Sequence, residues 1–314
     1  MTKAFPLIDV HHHALLPQLT GGLRLGTVDI PPWEIDGSIC FMDEIGIDIA
    51  ALTLTSPGIP YADKNAARDM ARRVNDTLAG FVQRHPTRLM ALAALPLPDI
   101  DGSLEELAYA IDVLGLDGLG VLSNYGPYFG TSHYEPLYEE LDRRSLPVHI
   151  HPTPPTLTPH QDVGLPPSLI EYVFETTRVA TNVVYNDLFN HYPDLKLILS
   201  HAGGTVPYLA KRLSYGPQIT ASLKETAPED IVTELGKFYF DLAMTNAQFT
   251  LPALNALVGS ERILYGSDFP FMPTSSIMDS KNDAFNFSGY SASDLAQIGS
   301  GNAVKLFPRL SKIM

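Results

Sequence analysis

An eightfold alternation constrains this chain more than any other feature. Short apolar runs rich in β-branched residues recur at Leu7–His13, Ile47–Thr55, Leu89–Leu95, Gly118–Ser123, Pro147–His151, Leu195–His201, Phe238–Ala243 and Arg262–Ser267. Each is followed by a longer region able to hold a helix. The segment "ADKNAARDMARRVNDTLAGFVQRH" joins helical spacing to strong helix formers, and "PPSLIEYVFETTRVATNVVYNDLFNHY" does so with prolines suited to a first turn. Eight β-then-α units in 314 residues predict an α/β chain folded as a (β/α)8 TIM barrel, one domain over residues 1–314. A doubly wound open sheet is the alternative. It would ask for G-x-G-x-x-G after the first strand, where this chain has His11, His12 and His13.

Composition narrows the partners. Apolar residues make up 45% of the chain and charged residues 18%, as in a globular enzyme with a sizeable core. The formal charge of −14 argues against nucleic acid and anionic membrane surfaces as partners. No apolar run approaches the ~20 residues that span a bilayer, and "MTKAFPLIDV" lacks a signal peptide's apolar stretch. Cys40 is the only cysteine, which excludes an internal disulfide and a thiolate metal cluster. A reducing, cytoplasmic setting is expected, with Cys40 as a small buried residue.

The polar residues at the ends of these runs carry the chemistry. Side chains on a strand alternate faces, so His11 and His13 share one face and His12 takes the other. "LPVHIHP" ends its run at His151, "LKLILSHAGG" at His201 and "RILYGSDFP" at Asp268. Imidazoles and a carboxylate at the C-terminal ends of barrel strands predict a metal site, because barrel active sites are built there. Nitrogen and oxygen donors suit Zn²⁺, Mn²⁺ or Fe²⁺ without choosing among them, and the expected cofactor is one divalent ion, Zn²⁺ first and Mn²⁺ next. His149 shares the face of His151 one layer deeper and is expected to be packed and hydrogen-bonded. Two stretches after strand ends, Pro152–Pro167 and Pro270–Tyr290, are expected as active-site loops.

The motifs "DVHHH", "HIHP", "LSHAGG" and "YGSDFP" resemble the amidohydrolase superfamily. The resemblance is closer to its decarboxylase branch, with aminocarboxymuconate-semialdehyde decarboxylase and the salicylate-type decarboxylases, above all the 6-methylsalicylate decarboxylase-like proteins. It extends over almost the full length, through "FMDEIGIDIAALTLTSPG", "RRVND", "LPLPD", "EYVFETTR", "FYFDLAMTN" and "ILYGSDFPF". It implies one divalent ion held by His11, His13, His151 and Asp268, with His201 beside it in acid/base work or orienting a water. The region after the fourth strand, "GLGVLSNYGPYFG", has no lysine of the kind that bridges two metals in binuclear members.

The implied reaction is loss of CO2 from a small aromatic acid, with Asp268 moving the proton and His201 supporting it. Arg178 is a candidate for the substrate carboxylate, because an Arg fork matches it. Trp33, Phe269 and Phe271 are candidates for the pocket wall, and Glu175 for orienting a ligand. A hydrolase of a lactone, amide or C–C bond, or a hydratase, is the alternative, with metal-activated water and His201 as base. A metal-binding scaffold is a third. The expected partner is a small carboxylic acid, and the family implies a homodimer or larger homo-oligomer.

Overall fold

Eight parallel strands stand side by side in chain order: β1 (Ile8–His13), β2 (Ile49–Thr53), β3 (Leu89–Ala93), β4 (Gly118–Leu122), β5 (Pro147–His151), β6 (Lys196–Leu199), β7 (Tyr239–Asp241) and β8 (Ile263–Leu264). This is a computed structural model, and it describes residues 5–20, 24–25, 28–59, 63–155, 163–245 and 248–314. The barrel closes where β8 and its extension meet β1. Val10 N–H donates to Tyr265 O at 3.0 Å, Asp268 N–H to His11 O at 2.9 Å, and His13 N–H to Phe269 O at 2.8 Å. The last strand is shorter than its apolar run because Ser267 N–H turns to the Asp9 carboxylate at 3.0 Å.

Helices cover the outside: α1 (Ile35–Ile45), α2 (Lys64–Arg84), α3 (Ile100–Ala108), α4 (Glu135–Arg144), α5 (Glu171–Tyr185), α6 (Val206–Leu213) and α7 (Leu251–Val258). The local reasons are ordinary ones. Asp63 caps α2 by accepting from Ala66 N–H at 2.8 Å, and Ala67, Ala71, Val74 and Leu78 form its buried stripe. In α1, Ser38, Phe41, Met42 and Ile45 face the barrel, which leaves Cys40 on the exposed side. The expectation of a buried cysteine is therefore corrected. Among the described residues no helix is long and apolar enough to cross a membrane.

The stretch expected as a loop over 270–290 contains a helix instead, α8 (Thr274–Phe285). Ile277 and Ala284 are buried on it and Met278 and Phe285 are partly buried beside them, but the five residues between these pairs, 279–283, are all polar. That stripe is too thin to read as helical periodicity. Of the other expected loop, residues 156–162 lie outside the described residues.

Burial of the strands on both faces follows from parallel pairing under a helical layer. Ile8, Val10, Ile49, Ala51, Met90, Leu92, Ile198 and Leu264 point inward, and the C-terminal residues Leu306, Phe307 and Leu310 pack against them. The neighbours that alternate with them, such as Ala50, Leu52, Leu89 and Ala91, pack into the larger cluster with the helices. Strict alternation along β1 would carry this inward set on to His12. The β1–β2 pairing slips by one residue between Asp9 and His12. That bulge turns His11 and His13 inward and His12 outward. The Asp9 carboxylate holds the bulge by accepting from the backbone N–H of His11 at 3.1 Å.

Candidate metal centre

Four side chains converge at the C-terminal mouth of the barrel. His11 and His13 come from β1, His151 from the end of β5, and Asp268 from the segment after β8. A ligand atom from each lies within 4.8 Å of every other. His11 Nε2 is 3.0 Å from His13 Nε2, and Asp268 Oδ1 lies 3.0 Å from His13 Nε2 and 3.3 Å from His11 Nε2. All four residues are buried.

The donor set fits a divalent cation. Asp241 on β7 accepts at Oδ2 from His11 Nδ1–H at 2.9 Å, which turns the His11 Nε2 lone pair toward His13 and Asp268. Two imidazole nitrogens and a carboxylate oxygen at about hydrogen-bond distance, with lone pairs converging, need a positive charge between them. Burial takes His13 down to about 4 against the opposing hydrogen bond to Asp268, and burial takes His151 well below the usual histidine value. These are the neutral forms that bind metal. Burial also opposes charge on His11, but the carboxylates of Asp241 and Asp268 outweigh it and lift it to about 10. The pocket is thus one that favours a cation. Asp241 and Asp268 are both held well below the ordinary carboxylate range, because His11 outweighs their burial. Ring nitrogens Nδ1 of His13 and His151 have no partner among the described residues.

Asp241 is the functional residue that sequence reasoning missed. Its Oδ2 also accepts from His149 Nε2–H at 2.9 Å, and its Oδ1 from the backbone N–H of His201 at 3.0 Å and of Ala243 at 3.0 Å. One buried carboxylate therefore orients three histidines. The signal was present as a lone charge inside the apolar run "YFDLA". Gly266 makes the arrangement possible. A Cβ there would lie 2.8 Å from His11 Cβ and 3.2 Å from Asp241 Cβ.

Above the ligands opens a cavity of about 240 Å³. His151, His201, Asp268, Thr55 and Tyr172 supply its polar groups, while Pro154, Pro167, Leu169, Phe271, Met244 and Met272 make apolar walls. An apolar void of roughly 150 Å³ already holds benzene, so one substituted ring fits. His201 and Asp268 both have left-handed backbones, with φ of 55° and 58°. Non-glycine residues held there cluster at functional sites. His201 Nε2 lies 3.5 Å from Asp268 Oδ2.

The amidohydrolase family matches this chain over residues 8–309. The chain belongs to the amidohydrolase family. It is 34% identical to the 6-methylsalicylic acid decarboxylase of Penicillium expansum, over 98% of each chain. It is 28% identical to the gamma-resorcylate decarboxylase of a Rhizobium species, covering 87% of this chain and 86% of that one. Among solved structures, the dihydroxybenzoic acid decarboxylase of a Polaromonas species, with manganese and the inhibitor 2-nitroresorcinol bound, aligns with a TM-score of 0.82. It is 28% identical and 97% of each chain is covered.

In this amidohydrolase the residues expected to touch substrate take different places. Phe271 lines the cavity, but Trp33, Phe269 and Arg178 are not among its lining residues. Phe269 stacks on Phe41 at 4.0 Å between ring centres, outside the barrel wall. Trp33 Nε1–H donates to Ser38 Oγ at 2.9 Å. Arg178 faces outward on α5 and pairs with Glu175, whose buried carboxylate also accepts from Tyr128 and Asn124. Glu175 thus ties the loop after β4 to α5. His12 Nδ1–H donates to Asp9 Oδ2 at 3.1 Å, and its Nε2 accepts from Ser38 Oγ at 3.0 Å.

Proposed function

We propose that this protein is a metal-dependent, non-oxidative decarboxylase of a small aromatic carboxylic acid of the salicylate type, 6-methylsalicylate included. The observation that carries the reading is the floor of the cavity. Asp268 sends Oδ1 toward His11 and His13 and Oδ2 toward His201, under apolar walls sized for one ring. Similarity to decarboxylases over nearly the whole chain supports it.

His11, His13, His151 and Asp268 would hold one divalent ion, which would supply Lewis-acid stabilisation of negative charge on the substrate. The remaining work belongs to side chains. No lysine or arginine lines the cavity among the described residues. The walls exclude water and hold the ring over Asp268. Ring-carbon protonation must precede C–C cleavage if a free aryl anion is to be avoided. Asp268 is held ionised by its histidine neighbours. The proton therefore passes through its Oδ2 from His201 Nε2 to the carboxylated carbon. The C–C bond then breaks, its electron pair restores the aromatic ring, and CO2 leaves neutral.

A panel of hydroxybenzoates with Zn²⁺ or Mn²⁺ reconstitution, read by CO2 release, tests this. Salicylate or 6-methylsalicylate should be consumed with matching CO2, and D2O should place deuterium on the vacated ring carbon. Retained carboxylate with solvent oxygen incorporated would overturn it in favour of hydrolysis. Asp268→Asn should keep part of its metal and lose about 10²-fold or more in turnover. Which ion restores the higher rate decides between Zn²⁺, our first choice, and Mn²⁺. We also infer a cytoplasmic homo-oligomer, a homodimer or larger, which sedimentation of the purified protein measures.

A further inference from the structure

Beneath α8 lies a second chamber of about 320 Å³, larger than the 240 Å³ cavity over the metal ligands. Met244 and Met272 line both spaces, and no other described residue does. A methionine side chain is unbranched with three rotatable bonds, so these two shared side chains yield where backbone or an aromatic ring would not. The chamber is graded along its length. Leu242, Ile277 and Ala284 make its inner part apolar, and each is buried. Its outer rim carries charge of both signs, the exposed carboxylates of Asp279 and Asp283 and the ammonium of Lys281. An uncharged group reaching in from the ring gains apolar burial, while a second carboxylate taken into the apolar inner part loses its hydration.

We propose that this chamber is a second compartment of the substrate site, which takes an uncharged alkyl or aryl substituent on the ring of a monocarboxylic salicylate-type acid. The proposal rests on the decarboxylase reading above and extends its substrate class past a single methyl group. The sequence of events is simple. The acid binds with its carboxylate over Asp268, Met244 and Met272 swing aside, and the substituent enters between β7, β8 and α8.

The test is a series of 6-alkylsalicylates from methyl to heptyl with the metal-loaded enzyme. Catalytic efficiency should rise about three- to fourfold for each added methylene until the chamber is full. A chain ending in a carboxylate should lose that gain. Ile277→Trp fills the chamber from α8, and Ala284→Leu does so from one heptad along the same face. Either variant should remove the chain-length gain and leave turnover of 6-methylsalicylate near that of the parent. Long-chain acids handled worse than 6-methylsalicylate by the parent enzyme, or an undiminished gain in both variants, would overturn the proposal. Calorimetric binding of the same acids runs in parallel. If no acid releases CO2, the decarboxylase reading fails, whereas affinity that does not grow with chain length refutes the chamber.

Discussion

At the scale of single residues, Asp241 and His12 decide how the ligands are presented. Asp241 fixes the proton of His11 on Nδ1 and so leaves Nε2 for the ion. Asp241→Asn should keep the fold and weaken metal affinity about 10- to 100-fold, read by competitive metal titration; unchanged affinity would mean that His11 needs no orienting partner. His12 plays the opposite part. It is buried between Asp9 and Ser38, away from the converging ligand atoms. His12→Asn should cost about 1–3 kcal/mol of stability in a denaturant titration and retain full metal content. His11→Asn should lose the metal. The reverse pattern would put the β1 register off by one. Residue chemistry was well exposed in the sequence here, since His151, His201 and Asp268 each stand at the end of an apolar run. The pocket walls were not. Trp33 and Phe269 look like wall residues by type, yet they pack behind the barrel, because aromatic character does not say which side of the wall a ring occupies.

At the scale of elements, the bulge in β1 and the bare backbone opposite it work as a pair. The bulge pushes His11 inward, and Gly266 leaves the space it enters. Gly266→Ala places a methyl 2.8 Å from His11 Cβ, closer than carbon atoms pack. We expect a loss of about 1–3 kcal/mol from overpacking, with reduced metal occupancy. A variant with parental melting temperature and full metal would show that β8 can retreat. Helix α8 marks the limit of reading elements from sequence. Its apolar residues come as two pairs, Ile277 with Met278 and Ala284 with Phe285, and the polar turn between them hides the helical period. Strands β1 to β8 were legible because parallel strands are buried on both sides, which writes them as continuous apolar runs.

At the scale of the molecule, the barrel brings ligands from residues 11 to 268 onto one point, so metal binding should stabilise the whole fold. Free Zn²⁺ or Mn²⁺ at 100 times its dissociation constant should add about 2.7 kcal/mol, seen as a higher melting temperature that chelation reverses. A melting temperature indifferent to both ions would argue against a site of this kind. By itself the sequence determined the eightfold alternation and the kinds of donor atom that could meet. It also determined that His11 and His13 share a face opposed to His12, since that follows from a period of two. Which face looks inward was decided by the tertiary structure alone. Counting on from Ile8 and Val10 leads to His12, and the one-residue slip against β2 reverses the count. A bulge is a property of the pairing between two strands, held here by Asp9, and no period within one strand contains it.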